Sequence, residues 1–189
     1  MTALPGHRVQ ADLDQVLIDR ERIARRVREL AAEIARDLGG VADDEEIVLV
    51  AVLTGSIIFL ADLIRQLPQK LRIEVVAVNS YPGRSTTSQG PKLAGPLVED
   101  IEGRHVLIVD DILDSGGTLR LIRGELARRR PRSLRSCVLL RKQRPSALAT
   151  PCDYVGFDIP DVFVVGYGLD YNNHYRNLPE IGTLRKEAM

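Results

Sequence analysis

The chain has no tryptophan, only two cysteines and an aromatic content of 4%, and none of its apolar runs approaches the length needed to cross a bilayer. Each shortage excludes something. Cys137 and Cys152 stand in unrelated contexts, outside any Cys-x-x-Cys pair and away from any histidine cluster. A zinc site or a disulfide framework therefore has little support, and buried free thiols are expected. The opening residues lack the apolar core of a signal peptide, which predicts a soluble cytoplasmic protein without a membrane partner. Basic and acidic residues cancel, 26 against 26, so no overall positive field draws in nucleic acid. The glycine patterns of the P-loop and of the dinucleotide-binding turn are both missing, as are internal repeats and low-complexity tracts.

What is present is an alternation of short apolar runs with helical patterns. At 189 residues the chain suits one domain, 1–189, around a single large core. Asp19 can cap a helix whose apolar positions Ile23, Val27, Leu30, Ile34 and Leu38 recur every three or four residues. A β-branched run over 47–53 leads through Thr54-Gly55 into a helical pattern from Ser56 to about 67. A second run, 73–78, leads into "NSYPGRSTTSQGPKLAGPL", a loop long enough to suggest a functional lid, although a disordered insertion would look the same. Further strands are expected at 105–109 and 133–140 with a helix over 118 to about 130 between them, and shorter apolar pieces follow at 154–157 and 162–165. This order predicts an α/β fold, a mostly parallel sheet flanked by helices, with ligands at the carboxyl ends of the strands.

The stretch "VLIVDDILDSGGTL", residues 106–119, puts two adjacent acids at the expected end of a strand and Ser115, Gly116, Gly117 and Thr118 at the start of a helix. Glycines there let the backbone approach a ligand, and free N–H groups with two hydroxyls can hold a phosphate. Alone, the turn is equally an ordinary helix cap, and the acids are equally surface caps. Together, Asp110 and Asp111 would serve sugar hydroxyls or a magnesium ion while the turn takes a phosphate, so one phosphorylated sugar satisfies both halves.

An apolar strand, two acids, two aliphatics and Asp-Ser-Gly-x-Thr resemble the phosphoribosyl-pyrophosphate signature of the type I phosphoribosyltransferases, and Asp114 makes the motif most like that of their hypoxanthine-guanine branch. "LTGSIIFLADL" resembles the pyrophosphate loop, "SYPGRSTTS" the mobile Ser-Tyr loop, "LLRK" the base-contacting strand, and "GFDIPDVFVVGYGLDYNNHYRNLPEIG" the hood over the purine. The similarity runs from about residue 16 to 182. It implies that fold, with a small hood from the N-terminal segment and about 150–189, and a homodimer or homotetramer. It also implies magnesium-dependent transfer of ribose 5-phosphate from phosphoribosyl pyrophosphate to hypoxanthine or guanine, giving IMP or GMP and pyrophosphate.

By the same resemblance, Asp114 would handle the proton at purine N7, and Lys142 would donate to the 6-oxygen. Phe163 would stack on the base and Val164 would meet it through its backbone. Asp110 and Asp111 would hold ribose or magnesium, and Asp170, beside the purine, a second magnesium ion. Leu53, Thr54, Gly55 and Arg176 would bind pyrophosphate, with a cis peptide in that loop, while Ser80 and Tyr81 would close over the reacting centre. Two departures stand out. Thr54 occupies a position where many relatives carry lysine or arginine, and Asp110 one where glutamate is common. Two other readings exist: an RNA-binding regulator of the same superfamily, for which "RRRPRSLRS" is the basic segment, and a non-catalytic sugar-phosphate-binding protein, which need not keep Asp114, Lys142 and Arg176 together.

Overall fold

The computed structural model describes residues 8–38, 46–79, 91–95 and 100–189. Twelve principal elements follow in chain order: β1 (Leu13–Ile18), α1 (Arg20–Asp37), β2 (Ile47–Leu53), α2 (Ile57–Ile64), β3 (Leu71–Asn79), β4 (Lys92–Leu93), β5 (His105–Leu113), α3 (Gly117–Ala127), β6 (Ser133–Lys142), α4 (Pro145–Leu148), β7 (Tyr154–Ile159) and β8 (Ile181–Leu184). Six strands make one sheet in the order β4-β3-β2-β5-β6-β7, parallel throughout except where β4 runs against β3.

The period-two alternation of the buried strands builds two cores. In β2, Ile47, Leu49 and Ala51 face α1 and α2, meeting Ile23, Val27, Ile34, Phe59 and Leu63. Val48, Val50 and Val52 face the other way, in the cluster that holds Leu119, Ile122 and Leu126 of α3. Both faces are covered, which is why these strands are continuous apolar runs. The Asp19 carboxylate caps α1 by accepting from the Arg22 N–H at 2.8 Å.

Several boundaries differ from the sequence expectations. α2 and α3 end three residues early because their final turns tighten to i→i−3 bonds, Leu67 N–H to the Ile64 carbonyl and Arg130 N–H to the Ala127 carbonyl. Arg130 then adopts a left-handed φ of +53° just before Pro131. β5 does not stop at Val109: its pairing with β6 continues through Asp110↔Val138 to Leu113↔Arg141. Both acids therefore lie within the strand rather than beyond it. The long loop returns as β4, pairing Val78 with Leu93.

A second sheet of two antiparallel strands, β1 and β8, joins residues far apart in sequence, with Val165 bridged to Gly182 beside it. Leu13, Val165, Leu178 and Leu184 form its own small core. Cys137 is buried and Cys152 half-buried, both as free thiols. Among the described residues no helix is long and apolar enough to cross a membrane.

Candidate active site

From β2 the chain moves outward to β3, and from β5 it moves the other way to β6 and β7. The crevice between β2 and β5 is thus the point where strand order reverses, the usual ligand position in such sheets. The β2–β5 ladder ends at Ala51↔Val109. Beyond it the two strands part around a cavity of about 420 Å³ lined by Leu53, Gly55, Asp110, Asp111, Asp114, the four residues 115–118, and Arg144.

At the cavity's side the two acids satisfy local backbone: the Asp111 N–H donates to Asp110 Oδ1 and the Ile112 N–H to Asp111 Oδ1, both at 2.9 Å. Burial raises the Asp110 carboxyl well above its ordinary range, and repulsion from Asp111 adds to this. Asp111 is raised by burial too, partly offset by its hydrogen bonds and by the positive charge of Arg176. Gly55 must be glycine here, because a Cβ on it would lie 1.7 Å from Asp111 Oδ2. The Leu53–Thr54 peptide is cis, and the Thr54 side chain is exposed.

At one end of the cavity, α3 starts at Gly117 after Gly116 in the left-handed region, φ +78°. Gly116, not Ser115, is the capping residue, and the Ser115 hydroxyl accepts a long contact, 3.4 Å, from the Gly117 N–H. Pro91, at the foot of the returning loop, packs against Gly117.

At the other end Asp114 meets two cations. Lys142 Nζ lies 3.1 Å from its Oδ2, and Arg144 Nη1 lies 2.6 Å from its Oδ1. Asp161 closes the group, 3.5 Å from Lys142 and 3.7 Å from Arg144. Partial burial pushes the Asp114 carboxyl up, but the hydrogen bonds and charges of Lys142 and Arg144 outweigh it and hold the group below its ordinary range.

The remaining expected residues that the structure describes do not line this cavity. Arg176 pairs with Asp170 at 2.7 Å and donates to the Gly168 carbonyl, and Gly168 is seated on the Gly55 carbonyl. Both Asp170 oxygens are engaged, the second by the Asn173 N–H at 2.9 Å. Phe163 is 44% exposed and meets Tyr171 edge-on, so it is not a core residue. Val164 beside it is buried. Ser80 and Tyr81 lie outside the described residues. Sequence reasoning missed Arg144 and Asp161. Arg144 lies past the end of β6, where its N–H folds back to the Lys142 carbonyl at 2.8 Å, and only that bend brings its side chain to Asp114, so the sequence carried no local signal for it.

Residues 15–172 match the family model described as the phosphoribosyl transferase domain. The chain is 45% identical over 185 residues to the hypoxanthine-guanine phosphoribosyltransferase of Mycobacterium avium, covering 96% of this chain and 91% of that one. It is 40% identical to the Dictyostelium discoideum enzyme of the same name, over 92% of this chain and 97% of that one. Among solved structures, the hypoxanthine phosphoribosyltransferase of Trypanosoma cruzi in complex with IMP superimposes with a TM-score of 0.86 at 37% identity, covering 98% and 100% of the two chains. With the reversal-point cavity, the acidic strand and the glycine turn all in that family's order, this chain belongs to the type I phosphoribosyltransferases, in their hypoxanthine-guanine branch.

Proposed function

We propose that this protein is a purine-salvage enzyme that transfers the 5-phosphoribosyl group from phosphoribosyl pyrophosphate to N9 of hypoxanthine or guanine, releasing pyrophosphate. The observation that carries this reading is the polarity of one cavity: an amide-rich turn at residues 115–118, two acids along its side, and a carboxylate between two cations at its far end. A ribose 5-phosphate bearing a purine has matching polarity. Its phosphate suits the turn, its hydroxyls the acids, and its 6-oxopurine the Asp114 end.

Departure of pyrophosphate leaves positive charge on the ribose ring, so the protein's task is to position the base and hold charge around it. Asp114 accepts the proton of N7, and Lys142, which can only donate, accepts a 6-oxo group and rejects a 6-amino group. Phe163 covers the base, Val164 meets it through its backbone, and Arg176 with the amides of residues 54 and 55 takes pyrophosphate oxygens. Ser80 and Tyr81 close the long loop, whose foot at Pro91 already borders the turn.

Magnesium fits the acids. Two adjacent carboxylates, both raised by burial and the first also by repulsion from the second, form a site that favours a cation. Asp110 and Asp111 would hold it, with Asp170 on a second ion. When bound, it supplies charge neutralisation on the leaving pyrophosphate.

We read β1, β8 and the segment after Pro160 as the hood of a single domain, narrower than the expected 150–189 because residues 154–159 pair into the main sheet as β7, and the protein as a cytoplasmic dimer or tetramer. Exposed Ile57, Ile58, Ile73 and Val75 supply apolar surface for self-association. The basic run offers little to RNA, because Arg128, Arg130 and Arg135 are paired with Glu125, Glu102 and Asp37. Pyrophosphate release with hypoxanthine, guanine, xanthine, adenine or uracil in turn tests the reading. Turnover with the first two supports it, and tight phosphoribosyl-pyrophosphate binding without turnover on any base overturns it.

A further inference from the structure

A turn can hold a phosphate only if its N–H groups face the ligand and its carbonyl oxygens face away. In residues 115–118 no lysine is present to compensate for a misdirected carbonyl, so something must fix the backbone. The structure places a device for this outside the cavity. Arg120, one turn into α3, reaches back so that Nη2 donates to the Ser115 carbonyl at 3.1 Å. Its Nη1 donates to Thr150 Oγ1 at 2.6 Å.

Thr150 is 3% exposed and follows α4, and its hydroxyl donates onward to the Ser146 carbonyl at 2.8 Å. Its donor and an acceptor lone pair are both used, which fixes the rotamer. Gly116 rests directly on this pair: a Cβ there would lie 2.1 Å from Thr150 Oγ1 and 2.5 Å from Arg120 Nη1. The left-handed residue that starts the helix is thus pressed between the guanidinium and the threonine. Neither Arg120 nor Thr150 is among the residues lining the cavity.

We propose that Arg120 and Thr150 are positioning residues for the 5′-phosphate: they pin the 115–116 backbone from behind, holding the Ser115 carbonyl away from the phosphate and the following amides toward it. The guanidinium also leaves a fixed positive charge behind the cradle. The fork geometry matters, because one planar group spans two acceptors on different segments, which an ammonium does not reproduce. This inference rests on the reading that residues 115–118 take the 5′-phosphate.

The test is steady-state kinetics in both directions, with thermal unfolding alongside. Arg120→Gln and Thr150→Val are each expected to raise KM for phosphoribosyl pyrophosphate and for IMP by roughly tenfold, the usual worth of a lost charge-assisted hydrogen bond. KM for hypoxanthine and for pyrophosphate, which carry no 5′-phosphate, should stay unchanged, with kcat nearly unchanged. Thr150→Ser keeps the hydroxyl and should restore wild-type KM values, whereas Arg120→Lys should not restore them. An equal rise in all four KM values, or lowered thermal stability with every KM unaltered, overturns the proposal and leaves the pair a structural brace. Thr118→Ala separates the two layers of the reading. If it leaves KM for phosphoribosyl pyrophosphate unaltered, the phosphate assignment itself fails; if it raises that KM while Arg120→Gln does not, only the positioning role fails.

Discussion

Two acidic sites lie within five residues, one inside β5 and one just past its end, and their surroundings push them in opposite directions. Asp110 is raised by burial and by repulsion from Asp111, and Asp111 by burial alone, with its hydrogen bonds and the charge of Arg176 offsetting part of that effect. Asp114 is held low by Lys142 and Arg144. The first site therefore favours a proton or a cation, and the second carries its own cations. Identical side chains within five residues acquire different chemistry from what the neighbouring segments place against them, which is why three carboxylates can stand beside a phosphate cradle without contradiction.

The comparison breaks most directly at Asp114. Asp114→Asn keeps the shape and removes the base, and kcat should fall by about 10²–10⁴-fold while KM for phosphoribosyl pyrophosphate changes little. Pyrophosphate release under saturating substrates checks this. A kcat within about threefold of wild type would reduce Asp114 to an anchor for its two cations, well below the effect expected of a general base.

Lys142 sharpens the same end of the cavity. It is buried and donates only, so a 6-amino group opposite it would present donor to donor. Lys142→Gln supplies an acceptor as well, and the preference for hypoxanthine over adenine in kcat/KM should fall by roughly 10–100-fold. Arg144 remains to pair with Asp114 and Asp161, so the variant leaves no uncompensated acid. An unaltered ratio would place discrimination elsewhere.

Much of this site was legible in the sequence because its parts are local. The signature residues 110–118 lie on one strand and one helix start, and the apolar runs of β2, β5 and β6 identify themselves by their length. What escaped depends on distant partners. β1 has the burial pattern of no regular strand, exposed at three successive positions, and its partner β8 lies at the other end of the chain. β4 is two residues long. Arg120, Arg144 and Asp161 are ordinary surface charges until the fold brings Thr150, Asp114 and Lys142 to them.

At the other acidic site the expected effect is on stability. A carboxyl raised in the folded state makes that state less stable above its folded pKa. The penalty shrinks as pH falls below that value and vanishes near the unfolded value, about 3.9 for aspartate. Asp110→Asn keeps an acceptor for the Asp111 N–H and removes the repulsion. In chelator at neutral pH, calorimetry should show a higher Tm than wild type, by about 2–4 °C for each kcal/mol of repulsion relieved. The difference should close on acidification. A lower Tm at neutral pH would mean that the pair is already compensated within the protein.

The smallest effect belongs to Arg144, and it isolates the cause of the contrast. Arg144 touches Asp114 through one oxygen while Lys142 holds the other, so Arg144→Gln weakens the stabilisation of the carboxylate without abolishing it. With less positive charge nearby, the Asp114 pKa rises toward its ordinary range. The base must be ionised to accept a proton from the purine, so the acid limb of kcat/KM for hypoxanthine should move to higher pH while the plateau at neutral pH stays almost level. Titratable groups facing Asp114 from the other segments are Lys142, Arg144 and, through them, Asp161, so the limb has few other owners. An acid limb that stays in place in Arg144→Gln but disappears in Asp114→Asn would assign the low pKa to Lys142 alone. A limb insensitive to both would mean that a different group controls the reaction in acid, and the opposition between the two acidic sites would then be electrostatic without being catalytic.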